Sequence, residues 1–97
     1  MTNFNYNEDK NLTEILNYIE STYGQHYVGN KTFQVVDMWE SLGSLETTAR
    51  DNAIKYLSRY GRKAGKNRKD LLKAVHYVLY MMYCNDKENA QIGRAHV

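Results

Sequence analysis

The chain has 97 residues, a net charge of +2 and one cysteine, which limits it to one small domain and excludes an internal disulfide. No segment approaches the roughly 18 consecutive apolar residues of a membrane span, and the first residues are too polar for a signal peptide. The chain also lacks proline, the strongest helix breaker. We therefore expect a cytoplasmic, soluble, all-α protein.

Charge is unevenly divided between the two halves of the chain. Residues 1–51 contain three Lys/Arg and eight Asp/Glu, whereas residues 52–97 contain ten Lys/Arg and three Asp/Glu. This asymmetry indicates an anionic partner for the second half, head-to-tail contacts between subunits, or charge matching within the chain. Because a chain this short buries a modest fraction of its surface, we also expect a homo-oligomer.

The first predicted helix runs from Leu12 to about Tyr23, after a flexible N-terminus over residues 1–10. Asn11 is in position to cap this helix, and Gly24 is in position to end it. Its apolar residues recur at helical spacing and form one stripe, which comprises Leu12, Ile15, Leu16, Ile19 and Tyr23.

A loop is predicted over residues 25–31 and contains His26 and Tyr27. Both are candidate ligand-binding residues because loop side chains often serve a site. His26 can contact a phosphate, act as an acid or base, or cap a helix end. A second helix is predicted over Phe33–Leu42, although its β-branched residues leave a strand over Thr32–Val36 as the alternative.

The third predicted helix runs from Leu45 to Tyr60, with Ser44 as its N-cap and Gly61 as the residue that ends it. Six residues give this helix an apolar side that is expected to be buried. They are Leu45, Ala49, Ala53, Ile54, Leu57 and Tyr60.

A basic turn over residues 61–67 leads to the fourth predicted helix, from Arg68 to about Cys84, with Asn67 as its N-cap. A connection this short predicts that the third and fourth helices are antiparallel neighbours in a bundle of about four helices. We interpret Cys84 as a core residue. The expected centre of the core is formed by Leu71, Leu72, Val75, Val78, Leu79 and Met82.

Residues 11–85 are thus predicted to form a single helical domain, followed by a flexible tail over residues 86–97. The last six residues, 92–97, read like the translation of a sequencing-adapter oligonucleotide. Our hypothesis is that the natural C-terminus is missing, and a different codon sequence in the source DNA would refute it.

Polar residues of the third and fourth helices also recur at helical spacing, which places each set on one helix face. The third helix contributes Asn52, Lys55, Tyr56 and Arg59, and the fourth contributes Asp70, Lys73 and Tyr77. Antiparallel packing allows the two sets to line one cleft. The alternative is that they are ordinary solvent-facing residues of amphipathic helices.

Each residue type in these two sets suits a phosphate-bearing ligand. Lys55, Arg59 and Lys73 supply cationic donors for phosphate, and the tyrosines can stack on a base. Asn52 can pair with a base or sugar through its amide. Asp70 either caps the fourth helix or forms an ion pair that orients the arginine.

The basic turn adds Lys63 as a further candidate, and its amides can hold a phosphate together with the start of the fourth helix. The turn lacks the Gly-Lys-Ser/Thr ending of a Walker A loop and follows a helix instead of a strand. The histidines and Cys84 have no metal-ligand spacing, so we predict no metal site.

Four motifs of this chain together resemble a family of small phage proteins of unknown function, also described as nucleotide kinase-like. The motifs are His26-Tyr27, Phe33–Asp37, Asn52-xx-Lys55-Tyr56-xx-Arg59 and Asp70-Leu71-xx-Ala74-xx-Tyr77. A similar block forms the C-terminal part of the phage T-seven early nucleotide kinase, which has no Walker A loop. The resemblance covers residues 24–83. It implies a phage origin, the cytoplasm of an infected bacterial host, and nucleotide binding.

Two departures argue against extending the resemblance to phosphoryl transfer. The chain has nothing like the long N-terminal region of that kinase, and Tyr60 stands where relatives place a small residue. Our leading hypothesis is therefore a protein that binds a nucleotide without chemistry and without a cofactor, for example to sequester a host immune-signalling nucleotide. The alternatives are a nucleoside monophosphate kinase that uses ATP and Mg²⁺, a nucleic-acid-binding phage accessory protein, and a purely structural helical module.

Overall fold

The computed structural model describes residues 2–25, 27–28, 31–32 and 35–96. Four helices account for most of them, which confirms the all-α prediction. In chain order the elements are α1 (Glu8–Gln25), β1 (Tyr27–Val28), β2 (Lys31–Thr32), α2 (Val35–Leu42), α3 (Leu45–Arg59) and α4 (Arg68–His96). They form two compact units, residues 1–34 and 35–97. Among the described residues, none of the helices combines the length and apolar character needed to span a membrane.

Helix α1 begins four residues earlier than predicted. The Asn7 carbonyl accepts the first helical hydrogen bond, from the Asn11 N–H at 2.8 Å, and Asn7 has the left-handed backbone (φ 60°) that asparagine tolerates. Glu8 and Asp9 lie in the first turn, where negative charge favours a helix start. The prediction that Asn11 is the N-cap is therefore wrong.

A short antiparallel hairpin replaces part of the predicted loop. Tyr27 pairs with Thr32, and Val28 pairs with Lys31. The prediction of a loop over residues 25–31 is thus wrong for Tyr27, which lies on β1. Helix α2 is described from Val35 onward. Its predicted start at Phe33 lies outside the described residues, as does His26.

Helices α2 and α3 are joined by a two-residue turn that is held by backbone hydrogen bonds. The Ser44 N–H donates to the Trp39 carbonyl at 2.9 Å, and the Gly43 N–H donates to the Glu40 carbonyl at 3.1 Å. This is the Schellman pattern, which requires a left-handed residue after the helix, and Gly43 provides it with φ 75°. Ser44 occupies the predicted N-cap position of α3, but its side chain forms no capping hydrogen bond.

The centre of residues 35–97 is the contact between α3 and α4, as predicted, but three of its four buried apolar side chains are alanines. Leu45, Ala49, Ala53 and Ala74 are buried, with exposed fractions of 5% or less. Alanine lets two helix backbones approach closely, so larger neighbours are displaced to the flanks. Five residues that were predicted to be buried are exposed as a result, namely Ile54, Leu57, Val78, Leu79 and Met82.

The boundaries of α3 and α4 follow the sequence at three of four ends. Helix α3 ends at Arg59, one residue before the predicted end, and α4 starts at Arg68 as predicted. The N-cap role of Asn67 is confirmed, because its Oδ1 accepts the Lys69 N–H at 3.0 Å. The predicted end of α4 near Cys84 is wrong, since the helix continues to His96 through a segment with no proline.

Candidate functional site

The two predicted polar stripes converge where α3 packs against α4. The rings of Tyr56 and Tyr77 are stacked, with centroids 6.0 Å apart and planes 10° from parallel. Both tyrosines are half-buried. Offset stacking of this kind is the arrangement that aromatic pairs prefer, so the two rings form a fixed flat surface between the helices.

Two lysine ammonium groups lie against the same tyrosine ring. Lys55 Nζ is 4.6 Å from the Tyr56 centroid, and Lys73 Nζ is 5.1 Å from it. Both distances are within the range of a cation–π contact. Within the described part of the chain, neither lysine forms an ion pair. Two positive charges beside one ring favour an anion between or above them.

Arg59 and Asp70 join the two helices at the end nearest the basic turn. Arg59 Nε is 3.9 Å from Asp70 Oδ1, and the two side chains are 40% and 8% exposed. Of the two roles considered for Asp70, the geometry fits the ion pair, because the Asn67 N–H that a capping box would use donates to the Gly65 carbonyl.

The second oxygen of Asp70 is unpaired within the described part of the chain. Among the described residues, Asp70 Oδ2 is the buried side-chain oxygen or nitrogen that lacks any hydrogen bond. A buried, unpaired acceptor is destabilising and rare in folded proteins. We call Lys55, Tyr56, Arg59, Asp70, Lys73 and Tyr77 together the basic face.

Two predicted site residues within residues 35–97, Asn52 and Lys63, are not brought into the basic face. Asn52 is half-buried and donates from Nδ2 to the Thr48 carbonyl of its own helix at 2.9 Å. Lys63 lies exposed in the turn. Tyr27 lies on β1, and His26 lies outside the described residues.

Several backbone N–H groups of the basic turn form hydrogen bonds within the turn. The N–H groups of Arg62 and Lys63 both donate to the Arg59 carbonyl, at 3.0 and 3.2 Å, and the Gly61 N–H donates to the Gly65 carbonyl at 2.9 Å. Amide groups that already bond within the turn are unavailable to a phosphate. The predicted contribution of the turn amides to a phosphate site therefore has little support in this geometry.

Two residues next to the basic face were missed by sequence reasoning. The ring of His76 stacks on Tyr80 with centroids 4.7 Å apart, and Tyr80 meets Tyr77 edge-on at 6.0 Å. Burial lowers the pKa of His76 below its ordinary value of 6.5. The i, i+3 and i, i+4 spacings of these three residues along α4 were the available signal.

A second polar region lies at the other end of the α3–α4 contact. It is a cavity of about 400 Å³ that we call the acidic pocket, lined by Glu40, Gly43, Leu45, Glu46, Cys84, Lys87 and Glu88. Lys87 Nζ donates to Glu40 Oε2 at 2.6 Å, and this hydrogen bond raises the pKa of Lys87.

Cys84 lines the acidic pocket and is half-buried, whereas it was predicted to lie in the core. Burial raises the pKa of its thiol, and the charges of Glu46 and Glu40 raise it further. No group of three or more His, Cys, Asp or Glu residues in the described part of the chain is arranged to hold a metal ion.

Comparison with known proteins gives one family and no individual relative. The family DUF3310, whose description is a protein of unknown function, matches residues 19–79. No curated protein and no solved structure matches the chain. The likeness to a phage nucleotide kinase thus stays a prediction. The matched segment is more than half of the chain and contains every residue of the basic face, so the chain belongs to the DUF3310 family.

Proposed function

We propose that the basic face binds a nucleotide and holds it without chemical change. The observation that carries the proposal is the pair of lysine ammonium groups within about 5 Å of one stacked tyrosine ring. Phosphate needs cationic donors, and a base needs a flat apolar surface. The basic face offers both within one helix pair.

The phosphate end of the ligand is assigned to Lys55 and Lys73. Their charges are not consumed by carboxylates within the described residues, so an incoming phosphate meets no internal competitor. Arg59 adds a third cation, and its side chain is 40% exposed despite the contact with Asp70. A planar guanidinium can bind phosphate through two parallel hydrogen bonds.

The base is assigned to the tyrosine pair. Stacking of a base on an aromatic side chain contributes about 1–3 kcal/mol and tolerates any base. Tyr56 and Tyr77 hold each other parallel, so little side-chain entropy is lost when a base stacks on the outer surface of the pair. We expect a mononucleotide to bind more tightly than inorganic phosphate, because the lysines contact its phosphate and the tyrosines contact its base.

Binding without chemistry is supported by the single carboxylate of the basic face. Phosphoryl transfer places metal-holding acids beside the phosphates, whereas Asp70 is buried beside Arg59. A protein of this kind serves a phage by sequestering a nucleotide in the cytoplasm of the infected bacterium. A host immune-signalling nucleotide is the ligand for which sequestration alone gives a benefit.

Self-association is part of the proposal. The helix pair exposes apolar side chains that include Ile54 (52%), Leu57 (56%) and Met82 (56%). Clusters of exposed apolar residues are typical of protein interfaces. We expect a homo-oligomer, and sedimentation equilibrium of the wild type measures its subunit number.

The test is a binding panel with chemical analysis of the ligand. Nucleoside monophosphates and triphosphates, cyclic mononucleotides and cyclic dinucleotides are each titrated by calorimetry and then recovered after denaturation. The proposal predicts at least one ligand that binds and is recovered intact. ATP-dependent conversion of a monophosphate would instead establish the kinase alternative. Binding to DNA alone, weakening steeply with salt, would establish the nucleic-acid alternative.

A matched pair of variants locates the site. Lys73→Met removes a cation of the basic face, and Lys69→Met removes an exposed lysine one helical turn earlier on α4. Lys73→Met is expected to weaken nucleotide binding about tenfold or more, whereas Lys69→Met should change it less than threefold. Equal effects of both variants would show that general positive charge, and not the basic face, attracts the ligand.

A further inference from the structure

The buried carboxyl group of Asp70 is the feature of the basic face that phosphate binding leaves unexplained. Its side chain is 8% exposed, and Oδ2 has no hydrogen-bond partner among the described residues. Arg59 does not donate the missing hydrogen bond, because its Nε lies 3.9 Å from the other oxygen, Oδ1, which is beyond hydrogen-bond length. An anionic ligand would be repelled by this group unless it also brought a donor.

We infer that Asp70 Oδ2 accepts a hydrogen bond from an O–H or N–H group of the bound nucleotide, which makes Asp70 a specificity-determining residue. The inference rests on the proposed nucleotide-binding function and extends it to the ligand chemistry that is selected. A nucleotide carries such donors on its sugar hydroxyls, on the exocyclic amine of the base and, in guanine and uracil, on a ring N–H. Fully ionised phosphate groups lack a donor, and a deoxy analogue lacks the donor of the hydroxyl that was removed.

The position of Asp70 within the basic face supports this assignment. It lies one helical turn before Lys73 on α4, so a ligand whose phosphate reaches the lysine places its sugar near the start of the helix. Arg59 Nε lies 3.9 Å from Asp70 Oδ1, and the arginine side chain is 40% exposed. When a phosphate draws the guanidinium outward, the carboxyl oxygens become accessible to the sugar or base.

Selection of this kind follows from the cost of leaving the acceptor unpaired. A site built to receive a hydroxyl or amine discriminates strongly against an analogue that lacks it, because the buried group then has no partner. Hydrogen bonds to a charged acceptor are the stronger class. We therefore expect the wild type to bind the donor-bearing ligand at least about tenfold more tightly than the matched analogue.

The experiment compares ligand pairs that differ by one donor. AMP, GMP and CMP are each titrated against their 2′-deoxy and 3′-deoxy forms. For the base donors, AMP is titrated against purine riboside monophosphate, which lacks the exocyclic amine, and GMP against 1-methyl-GMP, which lacks the ring N–H. Each titration is done with the wild type, with Asp70→Asn, and with Asp86→Asn, which changes an exposed aspartate of α4. Thermal unfolding of each variant is recorded in parallel.

The expected result is a preference of about tenfold or more for one member of a pair, which falls to about twofold or less in Asp70→Asn and persists in Asp86→Asn. A preference in the sugar pairs identifies a hydroxyl as the donor. A preference in the AMP pair identifies the exocyclic amine, and one in the 1-methyl-GMP pair identifies the ring N–H. The absence of any preference in the wild type overturns the inference without reference to the variant, even if Asp70→Asn fails to fold. Equal weakening of both members of every pair by Asp70→Asn also overturns it.

Failure of the inference and failure of the proposed function give different results. If nucleotides bind the wild type but do so regardless of donor, only the specificity assigned to Asp70 is wrong. If no nucleotide binds the wild type at all, the nucleotide-binding proposal is wrong, and the inference is overturned with it.

Discussion

The basic face and the acidic pocket both include residues of α3 and α4, and the pocket also includes Glu40 of α2, yet their lysines are paired differently. In the acidic pocket, Lys87 donates to Glu40 at 2.6 Å, so its charge is matched within the chain. In the basic face, Lys55 and Lys73 lie over an aromatic ring, and no carboxylate of the described residues pairs with them. The two regions therefore differ in whether their lysines are paired, which is the property that the proposed anion binding depends on.

The largest expected effect is a loss of stability when the contact between α3 and α4, which both regions share, is disturbed. Ala74 is 2% exposed, so Ala74→Leu forces α3 and α4 apart and should lower the free energy of unfolding by about 1–3 kcal/mol. Urea unfolding followed by circular dichroism measures this change. Ala90→Leu, at an exposed position of α4, is the control and should be nearly neutral. An equally neutral Ala74→Leu would mean that the contact is not closely packed.

The next expected effect is a loss of stability at low pH, which we assign to His76 beside the basic face. Because burial lowers the pKa of His76, the unfolded chain takes up a proton near pH 6.5 that the folded chain binds only at lower pH. With respect to His76, the free energy of unfolding is therefore highest above pH 6.5, and it decreases as the pH falls below that value.

Urea unfolding at a series of pH values from 5 to 8 tests this expectation. His76→Gln should flatten the part of the pH dependence that lies below 6.5. If His76→Gln keeps the slope of the wild type, other titrating groups and not His76 cause the loss of stability in acid.

A smaller effect tests the acidic pocket. Burial and the charges of Glu46 and Glu40 raise the pKa of Cys84, so its thiol should react with iodoacetamide near pH 8 more slowly than in the urea-unfolded chain. Glu46→Gln removes one of these charges and should accelerate the reaction of the folded protein. Glu88→Gln, which changes another residue of the pocket lining, is the control. A rate unchanged by Glu46→Gln would show that the charge of Glu46 does not slow the thiol.

The smallest effect is expected for the ion pair of the acidic pocket. Lys87 and Glu40 are 50% and 38% exposed, and surface ion pairs contribute little because water and salt screen them. Lys87→Met should leave the urea midpoint of unfolding within experimental error. A clear loss of stability would mean that the charges of the pocket are less well solvated than their exposure indicates.

The sequence predicted the helix pair well because the signals for it are local. Asn67 caps α4 through its own side chain, and the glycine-containing turn separates two long helical patterns. These interactions involve residues within a few positions of each other, so spacing alone reveals them. The convergence of Lys55 and Lys73 on one ring follows from the same periodicity once the helices are antiparallel.

The core was harder to predict because it depends on the distance between helices. Periodicity assigned Leu57, Val78 and Met82 to the interior, but alanines at the contact leave them exposed. Asn52 shares the helix face of Lys55, and only the structure shows that its amide bonds to the Thr48 carbonyl. Such competition for a donor is not visible in a one-dimensional pattern.

The length of α4 allows a fluorophore to be attached far from the basic face for binding measurements. At about 1.5 Å per residue, Asn89 lies about 22 Å along the helix axis from Ala74, and the residues around Asn89 are exposed. A fluorophore attached there would extend from the helix pair without touching the tyrosines. Energy transfer from this position to a labelled nucleotide would then report occupancy of the basic face one molecule at a time.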